Sequence, residues 1–263
     1  MAEIGKPIST AFRYAFSPQR IAPFFALNLV IAASLLGILF YVIEMLPSFS
    51  MSLFFSLIGL IAAFVIVFIV VFLVKLFFLG VITDNSKLFY QKKVLPLRKS
   101  YPIAKSKYLS MLGAFLLMGI IVFVVGIIPL IGFIFVIVLS WMFLFVMQFV
   151  LINNEKAVDS LKKSYEFFMN NKLDVFVFWL IITLIDIALT IIVFIPVIIA
   201  LLSIAPVVMG AALSGNFVSL FSIIKSNIAL FAIAGIISAL LFSYKEVWKQ
   251  SALTFYFLQF KKK

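Results

Sequence analysis

Long apolar runs, separated by short polar segments, dominate the chain. They predict six spans, at about residues 21–46, 51–80, 107–128, 132–152, 173–202 and 219–242. Each run is close to or longer than the ~20 apolar residues that a helix needs to cross a bilayer. The apolar residues are continuous and do not alternate with polar ones, which excludes an outer-membrane β-barrel. The pattern predicts an all-α, polytopic transmembrane helix bundle that forms one integral membrane domain over residues 1–263.

Two short turns pair the first four spans into hairpins. Pro47–Ser50 is predicted to close the first hairpin, and Gly126–Gly132 the second. Both segments are too short and too rich in Pro, Gly or Ser for anything larger than a tight turn.

A polar segment with apolar residues at helical spacing precedes each pair of spans. We predict amphipathic helices that lie in the membrane interface near residues 3–16, 97–107 and 155–170. With their hairpins they define three repeat units, at about residues 3–82, 97–152 and 155–260. Pro102 is expected to shorten or kink the second helix. The alternative is three independent helices whose likeness is compositional.

Residues 196–218 interrupt the last pair of spans. Pro196, Pro206, Gly210 and Gly215 break up a stretch that is too long for a turn. A seventh complete span would carry the Lys-rich C-terminus to the opposite side of the membrane from the other basic segments. We therefore favour a re-entrant or outer-interface segment over a further span.

The basic residues orient the predicted spans. Apart from Lys225, they lie in residues 1–20, 83–107, 153–172 and 243–263, or at the near end of the second span, where Lys75 stands. The positive-inside rule then predicts a protein of the cytoplasmic membrane with both termini in the cytoplasm.

The formal net charge of +12 is better explained by anionic lipid headgroups than by nucleic acid, because the cations flank membrane spans. The most basic stretch supplies the predicted headgroup contacts: Lys87, Lys92, Lys93, Arg98, Lys99, Lys105 and Lys107. A protein partner or a homo-oligomer is a further expectation.

The composition excludes several kinds of catalytic and metal-binding site. The chain is 66% hydrophobic and 11% charged, whereas soluble domains are about 25% charged. It contains neither Cys nor His, which excludes disulfides, thiolate nucleophiles, Cys/His zinc sites and imidazole bases. We therefore predict no cofactor and no catalytic residue.

Asp186 is the sharpest candidate for an intramembrane polar site. It lies ~20 Å along the fifth span, and a carboxylate at that depth must be paired, face a wet cavity or be protonated. Lys225, in the outer part of the sixth span, is its predicted partner. Glu44, at the outer end of the first span, is the other residue that Lys225 could pair with.

Asn28 and Gln148 form a second candidate site. Both lie in the inner third of their predicted helices, so an amide pair between helices is expected, with a polar transport path as the alternative.

Three parts of the sequence resemble a broad group of prokaryotic integral membrane proteins. These are the stretch SLKKSYEFFMNNKLDVF at 160–176, the paired spans before it, and the closing EVWKQSALTFYFLQF at 246–260. The group includes the membrane domain attached to some glycerophosphodiester phosphodiesterases, together with stand-alone relatives. The resemblance implies about six helices with amphipathic connectors and a membrane-accessory role, and it implies no catalytic residues.

Three classes of function follow from these features. A non-enzymatic accessory or scaffold protein, associated with lipid or a membrane partner, requires only helices and amphipathic connectors. A small transporter or channel that uses Asp186 and Lys225 is the alternative. An enzyme acting on lipid would need clustered acids or a nucleophile with its base, and the sequence has no such motif.

Overall fold

The computed structural model describes residues 4–45, 51–93, 95–128, 131–213, 222–223 and 225–260. Nine α-helices of seven residues or more run through these residues, with a 3-10 turn at Leu97–Ser100 before the fourth. They are α1 Gly5–Ala15, α2 Pro18–Met45, α3 Met51–Tyr90, α4 Tyr101–Gly126, α5 Ile131–Met142, α6 Val146–Ile152, α7 Ala157–Asn170, α8 Lys172–Leu213 and α9 Ile228–Phe260.

The predicted fold class is confirmed. The described part of the chain contains helices and no strand, and it forms an all-α polytopic bundle. It contains six helical stretches long and apolar enough to cross a membrane: Pro18–Val42, Ser56–Tyr90, Leu97–Gly126, Gly132–Ile152, Lys172–Ala211 and Ile228–Phe260.

Three helices are longer than the sequence pattern predicts. α3 has 40 residues and α8 has 42, which is ~60 Å each, about twice the ~30 Å of a hydrocarbon layer. α3 continues past residue 80 to Tyr90, and α9 continues past residue 242 to Phe260. Neither extension contains Gly or Pro, so nothing in its sequence ends the helix. The polar segments at 83–90 and 243–260 are therefore helical.

Pro196 and Pro206 do not interrupt the fifth helix, so the break predicted there is wrong, whereas the re-entrant or outer-interface placement of residues 196–218 stays a prediction. α8 passes through Pro196 and Pro206 and ends at Leu213. Each proline removes one backbone hydrogen bond, but long apolar helices tolerate this because neighbouring groups satisfy the freed carbonyl. Residues 214–218 lie outside the described residues.

Two of the three predicted connector helices are separate helices. α1 precedes α2, and α7 precedes α8. The prediction of a separate helix at 97–107 is wrong, because α4 runs without a break from Tyr101 to Gly126. Pro102 stands in its first turn, where a missing N–H costs nothing, so it starts the helix and does not kink it.

The span predicted at 132–152 is divided by a turn at 143–145 into α5 and α6. Ser164 on α7 satisfies the backbone at this break. Its Oγ donates to the carbonyl of Met142 at 2.8 Å and accepts from the N–H of Phe145 at 3.3 Å. A side chain thus replaces the hydrogen bonds that the interrupted helix lacks.

The turn between α4 and α5 is tight, as predicted, over the residues that the structure describes. α4 ends at Gly126, and the N–H of Gly132 donates to the carbonyl of Ile128 at 2.8 Å. The other predicted turn, Pro47–Ser50, lies outside the described residues.

Contacts divide the chain into two compact units. Unit 1 comprises residues 1–21, 73–187 and 244–263, and unit 2 comprises residues 22–72 and 188–243. Within unit 1, α4 packs against α5, α6 and α7. Its apolar core includes Leu76, Met111, Ala114, Val146, Met147, Val150, Leu151 and Leu161. The single domain and the three-unit repeat remain predictions.

Candidate functional site

Charged side chains meet in unit 1 along one turn of α9. Asp186 of α8 contacts two lysines: its Oδ1 lies 3.4 Å from Lys245 Nζ, and its Oδ2 lies 3.3 Å from Lys249 Nζ. Between these lysines in the sequence, Glu246 accepts a hydrogen bond from Lys75 of α3 at 2.8 Å. These five residues, here called the ion-pair cluster, join α3, α8 and α9.

Most of the ion-pair cluster is shielded from solvent. The exposed fraction of the side chain is 20% for Asp186, 12% for Lys245, 15% for Lys75 and 20% for Glu246, against 43% for Lys249. Charges in such surroundings persist when opposite charges neutralise them. The arrangement explains how an acid can stand in the middle of an apolar helix without requiring a transport role.

The partner predicted for Asp186 was Lys225, and the structure supplies Lys245 and Lys249 instead. The prediction ended the sixth span at residue 242, which left both lysines in a polar tail. Because α9 continues to Phe260, they are carried along the helix to the carboxylate. Lys225 lies just before α9 in unit 2, with its Nζ 5.3 Å from the centre of the Phe40 ring. The side chain of Glu44 lies outside the described residues.

A run of polar residues on α3 is buried, which the sequence pattern does not predict. Thr83, Asp84, Asn85 and Ser86 are at most 2% exposed. Thr83 Oγ1 accepts a hydrogen bond from Gln250 Nε2 of α9 at 2.6 Å. The sequence pattern ends the second span at residue 80 and places these residues in the segment 83–107, which holds seven cations. The signal for this buried run in the sequence is that four small polar residues follow one another directly before Lys87.

Tyr14 of α1 forms a hydrogen bond with Asn85, the third residue of this polar run. Its hydroxyl donates to Asn85 Oδ1 at 2.8 Å, and Asn85 Nδ2 donates to the carbonyl of Leu95 at 3.1 Å. Burial disfavours the phenolate and raises the pKa of Tyr14 to about 12.

Arg20 holds the end of α1 next to this contact. Its Nη1 donates to the carbonyl of Tyr14 at 2.6 Å, and its Cζ lies 3.8 Å from the centre of the Tyr14 ring. The buried face of α1 consists of Pro7, Ala11, Tyr14 and Ala15, so this face is covered by protein.

Asn28 and Gln148, expected to bond each other, each have a hydroxyl partner on α9 instead. In unit 2, Asn28 Nδ2 donates to Ser243 Oγ at 2.7 Å. In unit 1, Gln148 Nε2 donates to Thr254 Oγ1 at 3.5 Å. Both partners lie beyond residue 242, in the part of α9 that the sequence pattern did not predict as helix. The amides therefore contribute to helix packing.

The predicted headgroup residues remain at the surface. Lys92, Lys93, Arg98, Lys99 and Lys105 are exposed, and Lys87 and Lys107 are half-buried. Lys92 has a φ of 62°, where the chain turns out of α3 toward α4. These cations are accessible to an anionic surface.

An open, mainly apolar groove of about 370 Å³ lies between α3 and α4 within unit 1. Its lining consists of Leu73, Val74 and Phe77 from α3 and of Lys105, Tyr108 and Leu109 from α4. We refer to these six residues as the α3–α4 groove. Lys105 is the cation of the lining.

Over the residues that the structure describes, no three Asp or Glu side chains are grouped as metal ligands. Comparison with known proteins finds no family model, no curated protein and no solved structure that matches this chain. The fold and the contacts above therefore carry the functional argument.

Proposed function

We propose that this chain is a non-enzymatic accessory or scaffold protein that spans the cytoplasmic membrane several times and associates with anionic lipid or a membrane partner. One observation carries the proposal. The charges of the ion-pair cluster pair with one another and the amides of Asn28 and Gln148 bond to hydroxyls of α9, whereas the basic residues between α3 and α4 are directed to the surface. The interior polarity thus stabilises the bundle, and the surface cations supply the binding.

The orientation in this proposal has both termini in the cytoplasm. If each of the six candidate spans crosses once, the two termini, residues 91–96 and residues 153–171 lie on one side of the membrane. These regions and the helix ends beside them hold most of the basic residues. Cations near span ends favour the cytoplasmic side, where they also meet anionic lipid.

The resemblance to the membrane domain attached to some glycerophosphodiester phosphodiesterases agrees with an accessory role. We propose a relation to that prokaryotic group on the strength of residues 160–176 and 246–260. The proposal takes from it a membrane-embedded helical module and no catalytic chemistry.

Lipid retention tests the proposed association. The full chain is extracted in mild detergent, and the ratio of anionic to zwitterionic lipid that copurifies is compared with the ratio in the source membrane. We expect enrichment of anionic lipid, and a smaller enrichment when Lys92, Lys93, Arg98 and Lys99 are replaced by Gln. Replacing Lys156 and Lys162 by Gln is the control, because these exposed lysines lie outside the basic stretch and the change keeps the Lys163–Glu155 ion pair. Unchanged enrichment in the fourfold variant would contradict lipid association through this segment.

The ion-pair cluster supports a second candidate function, a small transporter or channel. Three lysines and two acids within the candidate spans are unusual, because each charge is costly in an apolar helix. In this alternative Asp186 exchanges a proton or cation while the lysines move away. Proton and cation flux into proteoliposomes tests it: Asp186→Asn abolishes a flux that depends on this carboxylate, and absence of flux in the unaltered protein contradicts the alternative.

A further inference from the structure

The α3–α4 groove is formed by one face of each helix. Leu73, Val74 and Phe77 are spaced by one and three residues, and Lys105, Tyr108 and Leu109 by three and one. These spacings place each set of three on a single side of its helix. The groove therefore runs along both helices and does not cross them.

Close packing beside the groove fixes the two helices. Gly80 of α3 lies so near α4 that a Cβ built on it would be 2.7 Å from the terminal methyl of Met111 and 3.5 Å from the Cβ of Ala104. The hydroxyl of Tyr108 donates to the carbonyl of Leu73 at 3.0 Å, and the Phe77 ring lies 6.5 Å from the Tyr108 ring. These contacts between the two helices thus form the groove without a bound ligand.

The groove changes from polar to apolar along α4. Lys105 stands in the second turn, next to the basic connection between α3 and α4, and its side chain is exposed. Leu109 follows ~6 Å farther along the axis and is 78% exposed. One end of the groove therefore offers an ammonium group, and the rest offers apolar side chains.

We propose that the α3–α4 groove binds one anionic glycerophospholipid, with its phosphate at Lys105 and part of one acyl chain along Leu73, Val74, Phe77 and Leu109. This rests on the proposed function and narrows it from a basic surface to a defined site. A free phosphate would use the ammonium group but leave the apolar lining exposed. A phospholipid contacts both the ammonium group and the apolar lining, because its phosphate and its acyl chain are joined in the same order as Lys105 and the apolar residues along the groove.

The selectivity of the groove for an anionic phospholipid comes from the charge of Lys105 and from the shape of the groove. Moving an acyl chain from the bilayer into the groove removes little apolar surface from water, because the surrounding lipid is equally apolar. The interaction between Lys105 and the phosphate distinguishes an anionic lipid from its competitors, and the fixed groove distinguishes a lipid from a soluble anion.

Native mass spectrometry of the full chain in detergent tests the site, with palmitoyl-oleoyl phosphatidylglycerol as the probe. We expect one lipid to bind more tightly than the others. Lys105→Gln weakens this first binding roughly five- to tenfold, the effect of losing one charge-assisted hydrogen bond. Lys162→Gln, which removes an exposed cation of α7 outside both the groove and the basic stretch, leaves it unchanged. Leu109→Trp, which fills the groove and keeps the charge, weakens it to a similar extent.

The controls separate the groove from the general basic surface. Lys105→Arg restores binding, and each variant keeps the melting temperature of the unaltered protein. Inorganic phosphate at millimolar concentration does not compete. Equal weakening by Lys105→Gln and Lys162→Gln would overturn the groove and leave the proposed lipid association intact. Competition by phosphate, or unchanged binding in Leu109→Trp, would overturn it as a lipid site. Failure of phosphatidylglycerol to bind at all would count against the groove and the lipid association together.

Discussion

Asp186 is held by two lysines that are four residues apart on α9, so they lie one helical turn from each other and on one face. Lys245 is the more buried of the two. At the scale of single residues, the charged side chains of the ion-pair cluster are matched by opposite charges. The consequences of removing them can therefore be stated residue by residue.

We predict that Asp186 and Lys245 are energetically coupled. Asp186→Ala leaves a shielded ammonium without its carboxylate, and we expect a loss of about 1–3 kcal/mol, below the ~3–5 kcal/mol of a fully buried pair because some exposure remains. Lys245→Ala costs a similar amount, and the double variant recovers part of the loss. Thermal unfolding in detergent measures all three. Asp186→Ala combined with Lys162→Ala, an exposed residue of α7, should be additive. Additivity of Asp186 with Lys245 would show that the pair contributes nothing.

Tyr14 gives a prediction about pH. Its ordinary pKa is 10, and burial raises it to about 12 in the folded protein. The unfolded chain therefore ionises first, and the stability that the neutral phenol provides is complete below pH 10 and is lost between about pH 10 and pH 12. Tyr14→Phe removes this pH dependence and leaves Asn85 Oδ1 without its donor, at a cost of ~1–3 kcal/mol near neutral pH.

Unfolding at pH 8 and pH 11, compared between the unaltered protein and Tyr14→Phe, measures both effects. Tyr165→Phe, which changes an exposed side chain of α7, is the control. If the difference between Tyr14→Phe and the unaltered protein is the same at the two pH values, the raised pKa is wrong.

The sequence predicted which polar residues are unusual, and missed most of their partners. Asp186, Asn28 and Gln148 stand out because apolar residues surround them. Their partners Lys245, Ser243 and Thr254 lie in a segment whose mixed composition resembles a polar tail. Pairing between helices depends on which residues reach the same level of the bundle, and this is set by where each helix ends.

At the scale of elements, the helical class and the number of apolar spans were predictable, whereas helix ends were not. Continuous apolar runs predict helices because each has the length and composition of a membrane span. The hydropathy pattern does not predict the ends of α3 and α9, because the last turns of both helices are more polar than the apolar runs before them. The prolines of α8 predict breaks, but the helix continues through them because its apolar surroundings allow it.

The turn between α4 and α5 requires glycine at position 132. A Cβ added there would lie 2.5 Å from the carbonyl oxygen of Val125 and 3.3 Å from the Cα of Gly126. These are backbone atoms, so they cannot move aside without opening the turn. We predict that Gly132→Ala lowers the melting temperature in detergent by several degrees, corresponding to about 1–3 kcal/mol of overpacking.

Gly119→Ala is the matched control for this turn. Gly119 lies on α4 with open space where its Cβ would be, and alanine favours the helix, so stability stays the same or rises slightly. An equal loss in both variants would mean that the turn tolerates a side chain at position 132.

At the scale of the whole molecule, six of the described helices are long and apolar enough to span a bilayer, as the sequence predicts. This number was predictable because it follows from composition alone. The orientation, with the basic residues at the cytoplasmic ends of the spans, stays a prediction. The α3–α4 groove could not be predicted, because it depends on how two helices pack side by side.

Single-cysteine labelling of the two ends of α4 tests the membrane arrangement most directly. Because the native sequence contains no cysteine, the maleimide reacts with the introduced cysteine. Lys93→Cys precedes α4, and Ile127→Cys follows it. In right-side-out vesicles, a membrane-impermeant maleimide should label Ile127→Cys and leave Lys93→Cys unlabelled until the membrane is permeabilised. Labelling of Lys93→Cys in sealed vesicles, or of both positions to the same extent, would contradict a bundle with its basic face in the cytoplasm.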